Sequence, residues 1–229
     1  MVWASLLAFL AQLLPTPFVD DLLEGRVRRR MAERLAGAHG VSLSRGQAKR
    51  LVGRTGGWSV GRVARKAVLY PIKKIFRKVI YVLAVKSAMD SFSDVFHHGF
   101  LLHSALSLGA LEEISVPDEK VEQVGGAIDE IIAGSDTRPV GNAIKGVFRN
   151  SRRRVRRAVA WLGRTSPRGV EELESTGTDS RALERESPST EELLDRLLLV
   201  LWGREDHLRG LDRRLERSLA GGKAPRIGR

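Results

Sequence analysis

Apolar residues in this 229-residue chain recur at intervals of three and four in one segment after another, and glycine or proline stands between the segments. At 3.6 residues per turn that spacing lines them along one side of a helix, so the chain is predicted to be all-α, a multi-helix domain. Leu22, Leu23, Val27, Met31 and Leu35 follow the rule, with Asp20 or Asp21 as cap and Gly37 and Gly40 as stop. Ser44 caps the next helix, which carries Ala48, Leu51 and Val52 on one face. Pro117-Asp118-Glu119 opens a third with acid in its first turn, where the helix dipole favours it; Val121, Val124, Ile128, Ile131 and Ile132 form its apolar stripe before Gly134. Another is predicted from near Pro139 through Ile144, Val147, Phe148, Val155, Ala158 and Leu162 to Gly163. The domain organisation read from these breaks is a helical, membrane-associating domain over 1–163, a flexible linker over 164–188 and a C-terminal amphipathic helix over 189–222. The linker is rich in Ser, Thr, Glu, Arg, Gly and Pro, and Ser189-Thr190-Glu191-Glu192 reads as a capping box that starts the last helix.

Charge narrows the function classes. Lys and Arg number 39 against 27 Asp and Glu, a net charge of +12. From Leu43 to Met89 there are 12 basic residues and no acidic one, beginning at Arg45 and ending at Lys86. A single-sign block of that length calls for an anion. A second basic cluster, Arg152, Arg153, Arg154, Arg156 and Arg157, follows the acidic stretch from Glu112 to Asp136. With no cysteine, disulfide frameworks, zinc ribbons and thiol nucleophiles are excluded. The chain also lacks a nucleophile elbow, a Gly-x-Gly-x-x-Gly unit and a fixed pair of catalytic carboxylates, so the expectation is a protein that is not an enzyme and uses no cofactor.

Two apolar runs point to lipid. Residues 1–19 carry no ionised side chain, and Val2 to Leu14 is apolar almost all round before Pro15. Thirteen residues fall short of the roughly 20 that span a bilayer, which leaves a buried core helix or an interfacial, re-entrant one. A secretory signal would add a basic leader and a small-residue cleavage site, which this stretch lacks. Between Ala67 and Val85, Ile72, Ile75, Phe76, Val79, Ile80 and Leu83 form one stripe, and Lys73, Lys74, Arg77 and Lys78 fall on the other side. That is the pattern of a basic amphipathic helix lying on anionic lipid, with Tyr70 and Tyr81 at headgroup level. The uncharged run Val95 to Leu111 is expected to be its hairpin partner. Lys73, Lys74, Arg77, Lys78, Arg152, Arg153 and Arg156 are the predicted lipid-headgroup residues, and the predicted location is the cytoplasmic face of a membrane.

Other motifs point less far. Gly56 and Gly61 have the spacing of a phosphate-cradling loop, but Arg62 and Val63 stand where Lys and a hydroxyl are required. Gly53, Gly57 and Gly61 fit either a close helix contact or, at Gly56-Gly57, a surface turn. Asp90, Asp94 and His98 repeat along one helical face without a full ligand set, so no metal site is expected there; His97, His98 and His103 read as a solvated or interfacial cluster. Leu194, Leu197, Leu201, Leu208, Leu211 and Leu215 keep heptad spacing, broken at Arg204, and call for a partner in the chain's own core or in a protein partner or homodimer. The alternative function is a soluble basic helical module that binds nucleic acid through the 45–86 and 152–157 basic residues. The presence of only 13 Phe, Trp and Tyr (7, 4 and 2) weakens any single-strand reading built on stacking.

The stretch Leu14-Pro15-Thr16-Pro17-Phe18-Val19-Asp20-Asp21, the basic helix with Met31 that follows, and Gly40-Val41-Ser42-Leu43 ahead of a glycine-bearing helix carry a resemblance. The first half of the chain resembles the uncharacterised helical domain that accompanies some bacterial Era-like GTPase modules and occurs in inner-membrane proteins. The chain departs from that pattern in having no GTPase module and an Arg-rich second half. The resemblance implies membrane association without known catalysis and transfers no functional residue.

Overall fold

The computed structural model describes residues 1–13, 19–52, 77–112, 116–160 and 188–221, with side chains described over 1–13, 24–52, 85–112, 116–160 and 190–221. Every regular element among them is a helix, as the apolar spacing requires. In chain order these are α1 Val2–Gln12, α2 Val19–Ala38, α3 Arg45–Leu51, α4 Arg77–Ser107, α5 Asp118–Ala133 and α6 Arg138–Asn150. They are followed by α7 over 152–160, α8 Pro188–Trp202 and α9 Glu205–Gly221.

The long helix α4 organises the rest. At 31 residues it is about 46 Å long, enough to serve two cores in succession. As far as its middle turns it gives Ala88, Phe92 and Phe96 to a core shared with α1, α6, α7 and α8. Its second half gives Leu101, Leu102, Ala105 and Leu106 to a core shared with α2, α3, α5 and α9. The uncharged α1 lies in the first core with 8 of its 11 residues buried, packed against α2, α4 and α8. Phe9 stacks on Phe148 at 3.7 Å between ring centres, and Phe92 meets the edge of Phe148 at 6.0 Å. Of the readings open for this apolar run, the buried core helix is the one the structure shows.

Local sequence explains where the elements stop. Gly40 and Gly109 both have positive φ, 75° and 70°, a conformation that costs glycine nothing and a side chain something. Each ends its helix in the same way: Val41 N–H returns to Ala36 O and Gly40 N–H to Gly37 O, while Ala110 returns to Ala105 and Gly109 to Leu106. This paired return satisfies carbonyls that the last turn leaves open. Ser44 and Gln47 form a reciprocal capping box at the start of α3.

Several sequence expectations are corrected. Residues 95–111 are no hairpin partner, because α4 runs unbroken from Arg77 to Ser107. The helix expected over 139–163 breaks at buried Ser151, where Asn150-Ser151 are weak helix formers that favour caps; 161–163 lie outside the described residues. The leucine helix is two helices, α8 and α9, parted at Gly203-Arg204. Helix α2 starts at Val19, so Asp20 and Asp21 lie inside its first turn, and α8 starts at Pro188, so Ser189 does not stand ahead of it. The 164–187 part of the linker, Gly53 to Gly61 and the Ala67 to Phe76 part of the surface helix lie outside the described residues.

Candidate anionic-surface interface

Helix α7 follows α6 after the break at Ser151, and its orientation is fixed by Val155 and Ala158, which are buried in the first core. On the opposite side Arg152, Arg153, Arg156 and Arg157 are exposed. Lys145 and Arg149, one turn apart near the end of α6, are exposed too and lead into this face. No acidic residue occurs between Asp136 and the end of α7. None of these six cations forms an ion pair with a described residue. Arg154 differs: it turns aside to Glu192 at the start of α8, whose carboxyl the Arg154 and Arg196 guanidiniums hold below its ordinary range. The predicted residues Arg152, Arg153 and Arg156 therefore stand together. Lys73 and Lys74 lie outside the described residues, and Arg77 and Lys78 are placed only as backbone in the first turn of α4.

Helix α8 adds a feature that the sequence reading missed. Leu193, Leu197 and Leu201 point into the first core, but Leu199 and Trp202 are 80% and 84% exposed and Leu198 is 47% exposed. A helix packed on one side cannot bury Leu197-Leu198-Leu199-Val200-Leu201-Trp202 in full, and that excess was the available signal. Exposed residues at i, i+1 and i+4 form a compact apolar patch at the end of α8. Of the expected leucine stripe, Leu197, Leu201, Leu211 and Leu215 are buried within the chain's own cores, and Leu194 and Leu208 pack against them.

The titratable groups of α4 have separate employments. Asp94 receives Arg28 Nη2 at 2.5 Å, and Arg28 also donates to Glu24. Glu24 further accepts from Gln12 and Ser91, so an ionic cluster inside the bundle is closed by hydrogen bonds from three elements. His98 donates from Nε2 to the Leu51 carbonyl at 2.9 Å, and burial pushes its pKa down to about 4. Its Nδ1 stands 3.9 Å from Asp129, whose carboxyl burial pushes up. The expected solvated histidine cluster is corrected: His97 and His98 are buried, and each turns to a different element. His97 meets His207 of α9 and His103 meets His39 beyond α2, both at 3.0 Å. Pairings across 110 and 64 positions of sequence leave no local signal. Among the described residues no three metal-ligating side chains converge, and Asp94 and His98 face different partners.

No family model, curated protein or solved structure matches the chain.

Proposed function

We propose that this protein is a non-enzymatic helical scaffold that attaches peripherally to an anionic lipid surface. The observation that carries the reading is the exposed cationic face of Arg149 at the end of α6 and Arg152, Arg153, Arg156 and Arg157 on α7, unneutralised by any described carboxylate and held on helices whose other sides are buried. Guanidinium groups on a rigid element suit phosphate, and each basic residue near an anionic leaflet contributes about 1 kcal/mol. The exposed Leu198, Leu199 and Trp202 favour lipid over a purely ionic partner, because tryptophan and leucine gain by leaving water at a headgroup boundary. The resemblance carried by residues 14–43 points the same way.

The mode of attachment differs from the one the sequence suggests. Helix α1 is enclosed in the first core, and no helix among the described residues is long and apolar enough to cross a membrane. Attachment therefore rests on surface charge plus a small apolar patch rather than on insertion of the N-terminal helix. The same arginines support a second reading, a nucleic-acid-binding helical module, through phosphate contacts of the sequence-independent kind.

Sedimentation with vesicles separates the two. Binding to vesicles containing phosphatidylserine should exceed binding to pure phosphatidylcholine, and the change of Arg152, Arg153, Arg156 and Arg157 to Gln should weaken it at least tenfold. Equal binding to both lipids, or a preference that survives the fourfold change, overturns the lipid reading. Tight binding to duplex DNA with no vesicle binding, indifferent to Trp202→Ala, transfers the function to the second.

A further inference from the structure

Helices α4 and α9 meet at two imidazoles. His97 Nδ1 lies 2.6 Å from the Ser93 carbonyl, an acceptor only, so that nitrogen carries the hydrogen. In the neutral ring Nε2 of His97 is then a lone pair. It faces Nε2 of His207 at 3.0 Å with the rings nearly perpendicular, and His207 must donate the hydrogen between them. The contact thus consumes one N–H and one lone pair, and it tolerates a first extra proton, placed on the far nitrogen of His207. A second proton on His97 Nε2 sets two N–H groups head to head with no acceptor between them.

We propose that the His97–His207 contact is a proton-operated latch that holds the start of α9 on α4 while His97 is neutral and releases it when both rings are charged. The proposal is independent of the lipid reading. Charged groups that act on the pair come from α4, from α9 itself and from the turn ahead of α6. Asp94 of α4 and Asp136 ahead of α6 favour protonation, and Arg214 of α9 opposes it. Both carboxylates are already engaged, Asp94 by Arg28 and Asp136 by Arg138, so neither replaces the lost acceptor. Burial disfavours charge on both rings, which places both titrations below the ordinary imidazole value of 6.5. The remaining polar holds on α9 are Ser104 to Asp212 and Arg214 to the Gly134 carbonyl and Ser135 hydroxyl. They lie beyond the first turn of α9, so release opens its N-terminal end and leaves Leu211 and Leu215 as the hinge side.

Hydrogen exchange of the full chain, corrected for the intrinsic effect of pH on exchange, tests the latch. Between pH 7 and pH 5 residues 205–212 should show a loss of protection at least threefold beyond that of residues 118–133, which reports the general loss of stability from buried His98. In His207→Gln the amide can donate to neutral His97 and, after turning over, accept from the charged ring, so this extra loss should disappear. No loss at residues 205–212 beyond that at residues 118–133 in the parent chain, or the same extra loss in His207→Gln, overturns the proposal. Imidazole NMR of the parent chain gives a measurement that needs no variant. Two separated titrations below pH 6.5 for His97 and His207 are expected, and two independent titrations near 6.5 would sink the latch.

Discussion

At the residue scale, the clearest consequence of the packing is that ionisable side chains have been drawn inside. His98 is fully enclosed, with one nitrogen on the Leu51 carbonyl, and its folded pKa of about 4 lies below the unfolded value of 6.5. The unfolded chain therefore binds the proton more readily. Stability from this group is complete above pH 6.5 and declines as pH falls through that value toward 4, by about 3 kcal/mol at the lower end. His98→Gln keeps a donor for Leu51 and removes the titration, so urea unfolding of that variant should show a flatter pH dependence between 6.5 and 4. Phe148 belongs to the other kind of buried residue. It stacks on Phe9, meets Phe92 by its edge and joins three helices, and Phe148→Ala should cost about 3–5 kcal/mol in chemical unfolding. The stripe of α6 made Phe148 a core residue in the sequence, whereas the ring contact with Phe9 depends on α1 lying beside it.

At the element scale, two adjacent glycines in α5 do different things. A Cβ at Gly125 would stand 3.2 Å from the Arg50 carbonyl, so its absence lets α5 approach the backbone of α3 closely. Gly126 faces open space. Gly126→Ala should stabilise the chain by up to about 1 kcal/mol through helix propensity alone, and Gly125→Ala should fail to do so because α3 must move. Thermal unfolding of the two variants decides it, and equal shifts would mean that the α3–α5 approach is not tight. The leucines of α8 divide in the same manner. Leu201→Asp puts a carboxylate in the first core and should cost several kcal/mol, whereas Leu199→Asp should leave unfolding nearly unchanged and weaken binding to anionic vesicles.

At the scale of the whole molecule, α4 is the shared wall of both cores, and the C-terminal helices complete each of them. Leu193, Leu197 and Leu201 fill the first, and Leu211 and Leu215 the second. A chain that ends before Pro188 should lose its cooperative thermal transition and bind a hydrophobic dye at pH 7, because α1 and the second half of α4 would face water. A truncated chain that keeps a sharp transition would show that α8 and α9 are dispensable additions. Their heptad-like leucines could have served a partner chain equally well, since the pattern states only that one helix face must be covered.

The sequence by itself determined the helical class, the glycine stops after α2 and α5, the apolar faces of α2, α3, α5 and α6 and the presence of an arginine cluster after Asn150. These are local properties, set by side-chain spacing, by glycine's access to positive φ and by charge order along the chain. Only the tertiary structure decided that the uncharged α1 is a core element, that the arginines of α7 face outward together and that Leu199 and Trp202 are left uncovered. An apolar run carries the same hydrophobic drive toward a bilayer and toward a protein interior, and the choice between them is made by what the other helices bring against it.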